Sequence, residues 1–106
     1  MSEEETAEGR VLLTHEVGLH ARPSVKLTKL AKTFAAKVEV RAADAEAWTD
    51  AKSIVKVMAL KVPQGTELEF RAAGADADTA VERLVRLVEA DFEEGSGDGG
   101  TEAAAS

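Results

Sequence analysis

The sequence predicts an α+β fold. The expected architecture is an open-faced β-sandwich, a four-stranded antiparallel sheet with three helices on one face, in the order β-α-β-β-α-β-α. Three observations predict it. Lys37-Val38-Glu39-Val40-Arg41 and Glu67-Leu68-Glu69-Phe70-Arg71 alternate apolar and polar residues, as half-buried strands do. Leu27, Leu30, Ala31 and Phe34, and later Val81, Leu84, Val85, Val88 and Phe92, recur instead at helical spacing. Strands with one apolar face form an antiparallel sheet, and that face needs helices to cover it.

Each element follows in chain order. Met1 to Gly9 is polar and acidic, and a flexible N-terminus is expected over 1–9. Arg10 to His15 is a β-prone run with Val11 and Leu13 on one face, ended by Gly18. The first helix is expected from Ala21 to Phe34; Pro23 suits its first turn, where a missing N–H costs no hydrogen bond. Val38 and Val40 point inward in the next strand, the small and acidic residues Ala42 to Ala47 turn the chain, and Trp48-Thr49 makes a short third strand. Ser53 to Leu60 is too continuously apolar for a strand with one wet face, and reads as a short helix capped by Ser53. Pro63-Gln64-Gly65 turns the chain, Leu68 and Phe70 face inward, and Gly74 precedes a long helix that Asp76 can cap. The folded domain is expected over 10–94. Residues 95–106 have a composition that cannot support packing, and are expected to be a disordered tail.

Composition narrows the function. The chain has 106 residues, enough for one domain with one core. It holds no cysteine, which excludes disulfides and thiolate metal sites and suits a reducing compartment. A net charge of −7 argues against a nucleic-acid partner. No apolar run approaches the roughly 18–20 residues that cross a bilayer, and Met1-Ser2-Glu3-Glu4-Glu5 is acidic where a signal peptide is basic. A cytoplasmic protein without membrane insertion is expected.

The positive charge is gathered in two places. Val17–Val38 and Ala51–Gln64 hold eight of the 13 basic residues and none of the 20 acids. The first segment contains His20, set before a helix start whose unpaired N–H groups and dipole favour an anion. Gly18 lets the chain turn there, and Arg22 offers a planar donor to phosphate oxygens. A histidine in that position can accept a phosphoryl group on a ring nitrogen. Taken alone, such a histidine is more often a surface or capping residue, and His15, at a strand end, is read as structural. In the second segment Ile54, Val55, Val57, Met58 and Leu60 crowd one helix, which can bury a single stripe. With Val57 and Leu60 inward, Ile54, Val55 and Met58 are left at least partly exposed among Lys52, Lys56 and Lys61. Such a patch suits an acidic partner, although a solvated face with ordinary lysines explains it equally well. No metal set is evident. Ser53-Ile54-Val55-Lys56 matches S-x-x-K by chance, since the companion motifs of that chemistry are absent.

Gly18-Leu19-His20-Ala21-Arg22-Pro23, Lys52-Ser53-Ile54, Gln64-Gly65, and Gly74-Ala75-Asp76 before a long helix together resemble HPr. HPr is the small phosphocarrier of the phosphoenolpyruvate:sugar phosphotransferase system, and the resemblance runs from Arg10 to Phe92. It implies that His20 takes a phosphoryl group on Nδ1 from enzyme I and passes it to a sugar-specific enzyme IIA. Arg22 and the Ala21 backbone amide would stabilise the group, and Pro23 would fix the helix start. Ile54, Val55 and Met58, with Lys29, Lys52 and Lys56, would form the docking patch. Ser53 would be the position an HPr kinase modifies in some members. The resemblance further implies a monomer that needs no cofactor and is a carrier rather than an enzyme. Lys56 stands where kinase-regulated members usually carry glycine, and Lys61 replaces a common glycine after the second helix. The stretch from His20 to Ser53 is about two residues longer than usual. A regulatory relative using the same face, or a carrier for a dihydroxyacetone kinase or nitrogen-regulatory relay, is the alternative.

Overall fold

The structure is a computed structural model and describes residues 5–14 and 21–92. His15, His20 and the expected tail over 95–106 lie outside the described residues. The elements are β1 (Thr6–Leu12), α1 (Ala21–Lys32), β2 (Lys37–Ala42), β3 (Thr49–Asp50), α2 (Ile54–Ala59), β4 (Glu67–Ala73) and α3 (Ala77–Glu89). The four strands form one antiparallel sheet in the order β1-β4-β2-β3. The predicted order and class are those observed.

The alternating strands bury the residues their pattern selects. Val38, Val40, Leu68 and Phe70 are fully buried, and Val11 and Leu13 join them. Leu27 and Ala31 of α1, Val57 of α2, and Leu84 and Val88 of α3 close over them from the helix side. Each large apolar side chain buried this way stabilises the fold by about 1.5–3 kcal/mol. The other face of the sheet carries a charge ladder in which Glu69 accepts from Arg10 at 2.9 Å and Arg41 at 2.8 Å, and Glu39 from Arg71 at 2.7 Å. Trp48 lies over it, its ring centroid 4.4 Å from the Arg41 guanidinium carbon and 4.3 Å from that of Arg71. This is cation–π geometry.

Several boundaries differ from expectation. Residues 6–9, expected within a flexible N-terminus, belong to β1, which pairs with β4 from Thr6↔Ala73 to Leu12↔Glu67. Their composition hid this, because Gly9 is a poor strand former. Gly9 is nonetheless required: a Cβ there would lie 2.8 Å from Val81 Cγ1 of α3. The third strand is Thr49–Asp50, one residue later than expected, which frees Trp48 for the ladder.

The first helix stops at Lys32 rather than Phe34. Thr33 and Phe34 donate to carbonyls three residues back, a tighter turn, while the Ala35 and Ala36 amides donate to the Asp76 carboxylate at 2.9 and 2.8 Å. Contrary to the expectation that Asp76 caps α3, its side chain makes no cap bond; it clamps the α1–β2 turn to the β4–α3 turn. Gly74 makes that contact possible with φ 139, a conformation side chains rarely adopt, and an added Cβ would meet the Ala36 backbone at 2.8 Å. The last helix ends at Glu89. Asp91 and Phe92 turn left-handed (φ 57 and 64), and the Phe92 amide donates to the Leu87 carbonyl at 2.8 Å. The reversal brings the Phe92 ring into the core at 2% exposure.

Candidate functional site

Residue 21, directly after His20, is the first of α1. The first turn of α1 contains no acid, so nothing there opposes the positive end of the helix. Arg22 is exposed in that turn, and Pro23, also within it, is buried with Ser24 against the domain. A buried proline with its φ fixed holds the start of the helix in one place. The Thr28 hydroxyl donates to the Ser24 carbonyl at 3.0 Å one turn on, a local bond within the buried face of α1. Lys29 and Lys32 stay exposed on the opposite side.

The second segment forms α2, which packs beside α1. Ser53 is its N-cap: the Ser53 hydroxyl oxygen accepts from the Lys56 amide at 3.4 Å, and the Val57 amide donates to the Ser53 carbonyl at 2.9 Å. With six residues, α2 is held by packing more than by propensity. Val57 is fully buried and Leu60 partly so, leaving Val55 75% and Met58 41% exposed with Ile54 half-buried. The division between inward and outward residues is the one the sequence predicts. Lys56 is exposed. Lys52 is engaged within the fold, its Nζ donating to the Phe34 carbonyl at 2.8 Å where the chain leaves α1.

Two features were missed from the sequence, and a third, the departure at Lys61, is explained by the structure. Val25, 44% exposed on α1, extends the apolar surface. It falls off the Leu27–Leu30–Ala31–Phe34 stripe, and that displacement was the available signal. Lys26 donates from Nζ to the Phe92 carbonyl at 2.7 Å, tying α1 to the turn after α3. Lys61 adopts φ 52, the left-handed conformation that explains why a glycine would suit that position. Among the described residues there is no cluster of three or more metal-ligating side chains, and no helix is long and apolar enough to cross a membrane.

The described geometry thus joins a proline-fixed, acid-free helix start to an apolar patch bordered by lysines. Residues 7–90 match the protein-family model described as the PTS HPr component phosphorylation site. The chain belongs to the HPr family. Solved HPr structures share its fold. HPr-C-His from Thermoanaerobacter tengcongensis is 33% identical over 83% of this chain and 97% of its own, with a TM-score of 0.76. The histidine-containing phosphocarrier protein of Mycoplasma is 34% identical over 81% and 97%, with a TM-score of 0.71. The Bacillus subtilis catabolite repression protein Crh, described as a swapped dimer, is 29% identical over 89% and 100%, with a TM-score of 0.62. Comparison with curated protein sequences gives no match. The family is that of phosphocarriers of the phosphotransferase system, and the HPr fold accounts for the open-faced sandwich seen here.

Proposed function

We propose that this HPr-family protein carries a phosphoryl group on His20 between phospho-enzyme I and a sugar-specific enzyme IIA. The observation that carries the reading is the start of α1 at the residue after His20, with Arg22 exposed in an acid-free first turn. In the proposed step the His20 Nδ1 lone pair attacks phosphorus. The P–N bond of the donor phosphohistidine breaks, its electron pair returns to the donor imidazole, and the second transfer repeats this with His20 as donor. No metal or redox partner is needed for that balance. The Ala21 amide and the Arg22 guanidinium would hold the phosphoryl oxygens, each acting where negative charge gathers. Pro23 would keep the helix start fixed while the charge changes.

Docking would use Ile54, Val55 and Met58 with Val25, bordered by Lys29 and Lys56, against acidic partners. Lys52, tied to Phe34, would contribute by holding α2 to α1. Ser53 is a candidate site for an HPr kinase; a phosphate there would replace the cap hydroxyl with about two negative charges beside Lys56. A monomer in the cytoplasm belongs to the same reading. The likeness to Crh favours, as a second reading, a regulatory protein acting through this face. His20 argues for the carrier, since regulation by docking alone needs no phosphorylatable residue.

The test is to incubate the protein with phosphoenolpyruvate and enzyme I and follow intact mass. One acid-labile phosphoryl group is expected on the parent and none on His20→Ala. Equal phosphorylation of the two would reject the carrier reading.

A further inference from the structure

Among the described residues the exposed large apolar side chains are Leu12, Val25, Val55 and Met58. The first three are hydrocarbons and keep their polarity in any medium. Met58 does not, because its thioether sulfur can take up an oxygen atom. The chain holds no cysteine, and its one other methionine, Met1, lies outside the described residues. Met58 is therefore the sole sulfur among the described residues, and it is 41% exposed.

Its place in α2 gives that sulfur a consequence. Met58 follows Ile54 and Val55 at helical spacings of four and three, so the three share one face. Val57, fully buried, anchors the helix in the core. The Lys61 amide donates to the Met58 carbonyl at 3.3 Å, which fixes the backbone from which the side chain projects. A change of polarity at Met58 thus falls on the exposed stripe and leaves the core contacts of α2 in place.

We propose that Met58 is an oxidation site at which a hydroperoxide turns off docking through α2. A lone pair of Met58 Sδ attacks the terminal oxygen of the hydroperoxide, and an S–O bond forms as the O–O bond breaks. The electron pair of the broken bond leaves with the other oxygen. That oxygen takes the proton of the transferred hydroxyl, giving water from hydrogen peroxide or an alcohol from an alkyl hydroperoxide. The sulfur is oxidised to the sulfoxide and the peroxide is reduced. Reversal needs a pair of thiols, which become a disulfide while the sulfoxide oxygen leaves as water. With no cysteine in the chain, those thiols come from another protein.

The sulfoxide is a polar acceptor that stays in solvent in the free chain, so the fold tolerates it. A partner docked over α2 would bury it away from water, and docking weakens. The oxidation stands independently of the carrier reading. Its effect on phosphotransfer rests on that reading and on docking through α2.

The test treats the folded protein with dilute hydrogen peroxide and digests it with trypsin. Cleavage after Lys56 and Lys61 releases Val57–Lys61, with Met58 inside. This peptide is expected to gain the mass of one oxygen at a rate within about tenfold of free methionine. A slower gain would mean a shielded sulfur, and overturns the proposal. In transfer from phospho-enzyme I, the oxidised parent should be about fivefold slower or more, with its melting temperature unchanged. A sulfoxide reductase with a dithiol should restore the rate. Met58→Leu has no sulfur at this position, and should keep its own rate through the same treatment, whatever that rate is. Transfer by the oxidised parent at its untreated rate overturns the proposal, as does an equal loss in Met58→Leu or a fold lost on oxidation. An untreated parent that accepts no phosphoryl group rejects the carrier reading instead, and the mass of Val57–Lys61 alone then decides the oxidation site.

Discussion

Asp76 shows how much a single side chain decides here. Its two oxygens accept from the Ala35 and Ala36 amides, and the Ala35 bond is the largest influence on its acidity. Burial opposes the effect, yet the bonds, with Lys52 nearby, keep the carboxyl below its ordinary value of 3.8. A carboxyl whose pKa falls on folding contributes stability that is fully present above the unfolded value. That contribution is lost as pH falls through the lower, folded value. Asp76→Asn keeps the shape but loses the charge and one acceptor. We expect the parent to be more stable than the variant at neutral pH, and the gap to narrow only below about pH 4. Urea unfolding across pH 2–7 measures this, and a gap that is constant with pH would contradict it.

At the scale of the element, α2 is a short helix with two obligations. Val57 anchors it in the core, while Val55 and Met58 remain in water. Ser53 caps it and Lys52 fastens the chain before it to the end of α1, so its outward face is held in position without burying it. Val55→Glu should leave stability within about 0.5 kcal/mol, because the side chain is 75% exposed. If the patch docks partners, the same change should slow phosphoryl transfer about tenfold or more. Transfer kinetics measured beside a melting curve separate the two effects. An unchanged rate would remove α2 from the docking surface.

The whole molecule is closed by contacts between segments far apart in sequence. Phe92 makes one of these, reversing after α3 to fill the core while Lys26 holds its carbonyl. Phe92→Ala should cost about 3–5 kcal/mol in urea unfolding. A loss below about 1 kcal/mol would mean that the turn after α3 is not part of the cooperative fold. The opposite face depends on charge: Arg10, Glu69 and Arg41 span three strands, with Trp48 stacked on Arg41 and Arg71. The Glu69 and Glu39 carboxylates are largely shielded, 13% and 19% exposed, and each accepts from an arginine, so the ladder keeps the uncovered face polar with its acids paired.

The sequence alone determined the class, the order of elements and the inward residues of β2 and β4, because period-two and helical patterns record which face meets the core. It also determined the family, through the stretch around His20, and the exposed stripe of α2. Only the tertiary structure decided where elements stop. Gly9 is a strand residue because α3 packs above it, α1 ends where Asp76 takes its next amides, and α3 ends where Phe92 turns inward. The tie between Lys26 and Phe92 belongs to the same group. Gly9, Asp76 and Lys26 each act on a partner more than 20 positions away, and periodicity reports only on neighbours within a turn or a strand.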